Sequence, residues 1–263
     1  MNGAVELDYD DGVATVTVDQ PGTSNALTED VARGLIDAVD DVEASDARCL
    51  VVEGAGETFS AGGDVNMMIE GLAGDVTTAE KVRIVIELTG RAVARVAECP
   101  LPTVAKVDGA AFGAGANLAI ACDLQVASES STVSFGFRNV GLAVDSGTSY
   151  LLPRLVGENV AKELVFTGER LDAAEAEDLG ILNHVYPDDE FDERADELVD
   201  RIASGPTVAL RASKRLLNRG SERSLREAVE CEADAQGAVF ESVDHREGAE
   251  AFMEGRAPEF EGR

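Results

Sequence analysis

Phe59-Ser60-Ala61-Gly62-Gly63-Asp64 and Gly109-Ala110-Ala111-Phe112-Gly113-Ala114-Gly115-Ala116-Asn117 are the two stretches on which the reading of this chain turns. Each follows a run with strand character, Cys49 to Glu53 in the first case and Val104 to Val107 in the second, and each consists largely of small residues. Small residues at the end of a strand let a ligand approach bare backbone N–H groups, as an anion or oxyanion cradle requires. A tight strand-to-helix turn with glycine at positive φ would ask for the same residues. The second stretch leads into a short helical run, Ala116 to Ala121, and a helix start presents positive partial charge. Gly113-Ala114-Gly115 opens a G-x-G-x-x-G pattern, but Leu118 holds its last position and the helix is too short for a dinucleotide-binding unit. No nicotinamide cofactor is expected.

Outward from these loops, the pattern alternates strand and helix. Val5 to Tyr9 and Val13 to Asp19 flank Asp11-Gly12, a hairpin signal, and Thr28 can cap a helix bearing Val31, Leu35, Val39 and Val42 at helical spacing. A second amphipathic helix is expected to carry Val82, Val85, Ile86, Val93 and Val96 and to end before Pro100 and Pro102. Leu124 to Ala127 reads as a strand. Helical patterns dominate from about Gly157: Asn159 to Phe166, Ala173 to Leu179, Asp189 to Ala203, Thr207 to Asn218 and Glu222 to Ala238. An α/β core over residues 1–200 and a helical region over 201–263 are therefore expected.

Composition narrows the function. The 263 residues include 51 acidic and 22 basic ones, a net charge of −29, and the acids are spread along the chain. Such a surface suits concentrated salt, where screening over roughly 3 Å at 1 M suppresses self-repulsion. It argues against nucleic acid and anionic membranes as partners, which need a basic footprint. No apolar run reaches the roughly 18 to 20 residues of a membrane span, and the N-terminus has no secretory pattern, so a cytoplasmic location is expected. The four cysteines, Cys49, Cys99, Cys122 and Cys231, form no C-x-x-C pair, and no metal site is expected. The two histidines, His184 and His245, stand outside the glycine-rich motifs.

The chain resembles the enoyl-CoA hydratase/isomerase, or crotonase, superfamily nearly end to end. The resemblance is carried by Asn25-Ala26-Leu27, by the two glycine-rich loops, and by Gly141-Leu142-Ala143-Val144-Asp145-Ser146-Gly147 running on to Leu152-Pro153-Arg154-Leu155-Val156-Gly157. Arg246-Glu247-Gly248, Ala251-Phe252 and Phe260 add to it. It implies a spiral of ββα units with C-terminal helices that trimerise, often into hexamers, and cover the active site. It also implies an acyl-CoA substrate, with coenzyme A as part of that substrate and no separate cofactor. The backbone N–H groups of Gly63 and Ala114 would form an oxyanion hole. Asn25, Ala26, Ala61, Gly62, Asp64 and Gly113 would lie along the CoA and thioester. Val65, Met67, Met68 and Leu72 follow the first loop and could line an acyl pocket, or simply pack in the core.

The departures from the family pattern point to the chemistry. Where hydratases of this family carry two glutamates, this chain has Asn117 and Phe137. Neither exchanges a proton near neutral pH, although Asn117 is expected to act in the site by orienting a group through hydrogen bonds and Phe137 to line the substrate. Asp145 is left as the obvious acid/base, at a position where some isomerases of the family, including 1,2-epoxyphenylacetyl-CoA isomerase, carry a catalytic aspartate. A helix N-cap is its structural alternative. Isomerisation by one carboxylate is the favoured expectation, hydration of a 2-enoyl-CoA the alternative, and a non-catalytic acyl-CoA-binding subunit a third reading. Dehalogenation through an aspartyl intermediate would need a histidine base, which neither His184 nor His245 obviously supplies.

Overall fold

The computed structural model describes residues 3–64 and 77–263. Val65, Met67, Met68 and Leu72, expected near an acyl chain, lie outside the described residues. The chain opens with β1 (Val5–Asp10) and β2 (Val13–Val18), paired antiparallel around Asp11-Gly12, both at positive φ (40° and 82°) as a two-residue hairpin turn demands. Helix α1 (Glu29–Glu43) follows, its first turn capped by the Thr28 hydroxyl, which accepts from Val31 N, and it buries Val31, Leu35, Val39 and Val42. β3 (Cys49–Gly54), β4 (Thr103–Val107), β6 (Leu124–Ser128) and β9 (His184–Tyr186) extend the sheet in parallel, giving the order β1-β2-β3-β4-β6-β9. Parallel strands covered on both faces read as near-continuous apolar runs, which is why Thr103–Val107 is buried throughout.

A repeated unit underlies the order. Each of β3, β4 and β6 runs straight into a second, smaller sheet: Thr58 to Ser60 bridges to Gly109 and Ala111, β5 (Ala110–Phe112) follows β4, and β7 (Thr132–Ser134) follows β6. β8 (Leu171–Asp172) completes that sheet in the order β5-β7-β8. The sheets approach closely enough that a Cβ on Gly109 would stand 2.1 Å from Glu57 O, so the β4 to β5 step admits only glycine. After each second-sheet segment the chain turns. The three turns supply Gly63, Gly113-Ala114 and Phe137 respectively.

The expected second helix is interrupted. α2 (Thr78–Ile84) and α3 (Gly90–Glu98) are joined by a π-turn over Val85–Thr89, in which Gly90 N–H reaches Val85 O. That carbonyl lies 2.6 Å from where a Gly90 side chain would begin, so glycine permits the insertion. The added residue breaks the apolar stripe: Val93 and Val96 are buried, whereas Val82 and Ile86 are exposed. Pro100 and Pro102 follow its end, as expected.

Helices dominate afterwards: α4 (Ala114–Ala121), α5 (Thr148–Val156), α6 (Glu158–Thr167), α7 (Ala173–Asp178), α8 (Phe191–Ala203), α9 (Thr207–Gly220) and α10 (Leu225–Val239). α8 lies on the sheet, burying Phe191, Ala195, Val199 and Ala203, and Lys106 of β4 reaches Asp196 (2.9 Å) and Asp192 (3.2 Å) on it. The sequence pattern did not announce α11 (Val243–Glu254), which begins where Ser242 accepts from His245 N. Arg48, at the start of β3, ties the helical region to the core by donating to Gly205 O, Thr207 Oγ1 and Phe260 O. No described helix is long and apolar enough to cross a membrane.

Candidate active site

The first donor loop is held from behind by Asn25. This residue is 1 % exposed, and its amide donates to Ala55 O and Thr58 O while accepting from Gln20 N. The Ser60 hydroxyl donates to Asn25 O, and Ala61 N donates to Ser24 O. Asn25 thus differs from the expected CoA contact: its side chain is consumed by backbone groups and shapes the loop. Its φ of 56° lies in the left-handed region that asparagine tolerates best among side-chain-bearing residues. Ala26 is also buried, whereas Ala61 is exposed at the loop tip.

The two loops meet through bare backbone. Leu27 N donates to Gly62 O, Phe112 N to Ser60 O and Ser60 N to Ala110 O. Gly62 sits at φ 93°, and a Cβ there would lie 2.3 Å from Phe112 O and 3.3 Å from Ala114 N. Gly115 is as confined, with Ser60 O 2.4 Å from its missing Cβ. Glycine at 62 and 115 is what lets the Gly63 and Ala114 amides come side by side. Gly113 N is taken by Ser134 O, but no acceptor among the described residues takes the N–H of Gly63 or of Ala114. Ala114 opens α4, so its N–H also carries the helix's positive end. Two unclaimed backbone donors on adjoining loops are suited to an oxygen that gains negative charge. Phe137, in a short 3₁₀ turn, brings its ring to 3.9 Å from the Gly113 Cβ position and walls the site with hydrocarbon.

Asp145 enters from the turn before α5. Ser146 (φ 45°) and Gly147 (φ 87°) both lie in the left-handed region, and Thr148 N donates to Asp145 O to close the turn. Three more contacts lock it. Asn117 Nδ2 donates to Asp145 O at 3.0 Å, and the Thr148 hydroxyl lies 2.9 Å from Asp145 O and 3.0 Å from Asn117 Oδ1. Asn117 is fully buried, one helical turn beyond Ala114 on α4, so the helix that presents an oxyanion donor also anchors the Asp145 backbone. Asn117, expected to act on substrate, is therefore a positioning residue. Thr148 escaped the sequence reading because its role needs a partner on another helix.

The Asp145 carboxyl caps nothing. Gly147 is the N-cap of α5 and makes no side-chain cap bond, so the helix-capping alternative for Asp145 falls away. Its Oδ1 is buried without a partner, and so is Ser146 Oγ. Burial pushes the Asp145 pKa up from the usual carboxylate value; the adjacent Ser146 hydroxyl draws it partly back without reaching hydrogen-bond geometry. A half-buried carboxyl with a raised pKa can shuttle a proton beside a carbonyl.

His184 lies on the edge strand β9, stacked on Tyr186, and His245 lies beside Phe240 in α11. Among the described residues no cluster of metal-ligating side chains occurs. Three cysteines are buried, and burial raises the Cys49 thiol to about 12.

Residues 8–263 match the family described as Enoyl-CoA hydratase/isomerase. The chain belongs to this family. The 1,2-epoxyphenylacetyl-CoA isomerase of Escherichia coli is 33% identical over 256 residues, covering 96% of both chains. The short-chain-enoyl-CoA hydratase of Clostridium acetobutylicum is also 33% identical over 256 residues, covering 96% of this chain and 95% of its own. In structure, an enoyl-CoA hydratase from Bacillus anthracis superposes with a TM-score of 0.91 at 28% identity, covering 99% of this chain and all of that one. The chain is accordingly an acyl-CoA enzyme with the crotonase fold. An isomerase and a hydratase stand at the same identity, so identity alone does not separate the two reactions.

Proposed function

We propose that the chain is an enoyl-CoA isomerase that works with one carboxylate. Asp145 takes a proton from C2 of a 3-enoyl-CoA. The C–H electron pair moves toward the thioester carbonyl, and the N–H groups of Gly63 and Ala114 hold the resulting dienolate oxygen. The Asp145 carboxylic acid then returns the proton at C4, leaving the double bond between C2 and C3. Ring isomerisation of a 1,2-epoxyphenylacetyl-CoA is a further substrate reaction open to the same enolate chemistry.

The reading is carried by one observation. Asp145 is an acid with a buried, unpartnered oxygen in the turn that Asn117 of the donor-bearing helix anchors, while Asn117 and Phe137 take the places where the family resemblance puts the hydratase carboxylates. A raised carboxyl pKa favours it, because a more basic carboxylate abstracts a carbon-bound proton more readily. The Ala61 to Asp64 loop is proposed to lie along the pantetheine, with CoA as part of the substrate and no other cofactor. A homotrimer or hexamer is proposed for the assembly, since Leu217, Leu225, Phe252 and Met253 leave an apolar face exposed on the C-terminal helices.

The test is turnover of 3-enoyl-CoA and of 2-enoyl-CoA by the same protein, with and without Asp145→Asn. Isomerisation that collapses in the variant is the expected result. Rapid hydration of 2-enoyl-CoA, unchanged by the substitution, would identify a hydratase with another base. Acyl-CoA binding without turnover would identify a carrier subunit.

A further inference from the structure

The N–H of Gly63 belongs to the same planar peptide unit as the carbonyl of Gly62, so whatever orients that carbonyl also orients the donor. Leu27 N donates to Gly62 O at 2.7 Å and holds one end of Gly62. A side chain holds the other end. Gly62 N donates to the Ser60 hydroxyl at 3.3 Å, and that hydroxyl donates in turn to Asn25 O at 2.7 Å. Gly62, at φ 93° and without a Cβ, is the freest link in the loop, so bonds from its neighbours must fix its conformation. Ser60 also reaches the segment of the second donor. Its N donates to Ala110 O, and its O accepts from Phe112 N, two residues before Ala114. That O and the Ser60 Oγ stand 2.4 Å and 2.7 Å from where a side chain on Gly115, the residue after Ala114, would begin. Ser60 is fully buried and its hydroxyl is engaged by backbone as both donor and acceptor, so it is not itself a ligand contact.

We propose that Ser60 is a positioning residue for the backbone donors: its hydroxyl sets the direction of the Gly63 N–H, and its contacts with Phe112 and Gly115 set that donor's place relative to the Ala114 N–H. The proposal rests on the reading of these two amides as donors to the thioester carbonyl. Donation is directional and weakens steeply as an N–H turns away from its acceptor. A preorganised donor is worth on the order of 10² to 10³ in rate only while it is aimed. An alanine at position 60 would keep the Cβ and both backbone bonds to the second loop, so it isolates the hydroxyl. It would leave Asn25 O without this donor and Gly62 N without its acceptor. The Gly62 peptide would then be held by Leu27 alone, free to rotate about that single bond.

The experiment binds butyryl-CoA, labelled with ¹³C at the thioester carbonyl, to the full chain as wild type, Ser60→Ala and Ser60→Cys. The isotope-edited infrared spectrum reads the carbonyl stretch, which falls as donors draw charge onto the oxygen. In the wild type the stretch is expected below its value in water, and Ser60→Ala is expected to lose about half or more of that shift. Exchange of the C2 protons with deuterated solvent is expected to slow on the order of 10- to 100-fold in Ser60→Ala, with KM nearly unchanged. Ser60→Cys, whose thiol is a weak donor and acceptor, is expected to lie between the two and serves as the second variant should alanine not fold. A serine needed for stability alone would lower the thermal midpoint in both variants and leave the bound carbonyl stretch and the exchange rate at wild-type values; that result would overturn the proposal. An unshifted carbonyl in the wild type would overturn the donor reading and the proposal with it. A shifted carbonyl without turnover of 3-enoyl-CoA would count against the isomerase reading alone.

Discussion

Replacing Thr148 by valine removes one oxygen from a side chain of nearly unchanged shape, and the structure allows the consequence to be worked out. The hydroxyl lies 3.0 Å from Asn117 Oδ1 and 2.9 Å from Asp145 O. Asp145 O keeps two donors, Asn117 Nδ2 and Thr148 N, but Asn117 Oδ1 loses its partner in a fully buried position. A stranded buried acceptor costs about 1–3 kcal/mol, lost bond included, so Thr148→Val should cost about 1–3 kcal/mol. At about 2–4 °C per kcal/mol, the thermal midpoint falls by roughly 2–12 °C. The catalytic effect is separate. A released Asp145 turn shifts the carboxyl against the donors, and a misplacement of about 1 Å costs on the order of 10²-fold. Exchange of the C2 protons of butyryl-CoA with deuterated solvent, read by mass, reports enolate formation whichever net reaction the enzyme performs. Thr148→Val should slow exchange on the order of 10- to 100-fold with little change in KM, because the two glycine-rich loops are untouched. Thr148→Ser, which keeps the hydroxyl, should restore most of the rate. Full exchange in Thr148→Val, or Thr148→Ser behaving like valine, would show that the clamp does not position the base.

Asp145→Asn should raise the thermal midpoint near pH 7–8 and leave it unchanged near pH 3.5. The folded pKa of Asp145 lies above its unfolded value, so the folded state binds more protons between the two and stability is lost as pH rises through that window. A variant equally stabilised at both pH values would point to packing instead. Gly62→Ala should abolish proton exchange and destabilise the fold, since its Cβ would meet Phe112 O at 2.3 Å and lie 3.3 Å from Ala114 N; an active, stable variant would disprove the paired-donor geometry. Raising salt from 0.1 to 2 M should increase the denaturation midpoint, because 51 acidic and 22 basic residues leave a strongly repelling surface that salt screens. A midpoint indifferent to salt would dismiss self-repulsion as a factor in stability.

By itself the sequence determined what is local. Asp11-Gly12 can only be a hairpin turn between two β-branched runs, Thr28 caps a helix whose apolar residues repeat at 3.6, and the glycine-rich loops announce close backbone approach. The family pattern and the missing glutamates likewise follow from residue identity at fixed offsets. Even the interruption of the second helix had a local mark in Gly90, although the π-turn itself depends on a bond to Val85 O. What the tertiary structure decided are relations between segments far apart in the chain. Whether Asn25 touches ligand or backbone, and whether Asn117 acts on substrate or anchors a turn, depends on which partners folding brings within 3 Å, and side-chain amides serve either purpose equally well. The same holds for Asp145. Its sequence position suits a cap as well as a base, and only the fold, by placing Gly147 at the helix start and leaving Asp145 Oδ1 buried without a partner, removes the cap.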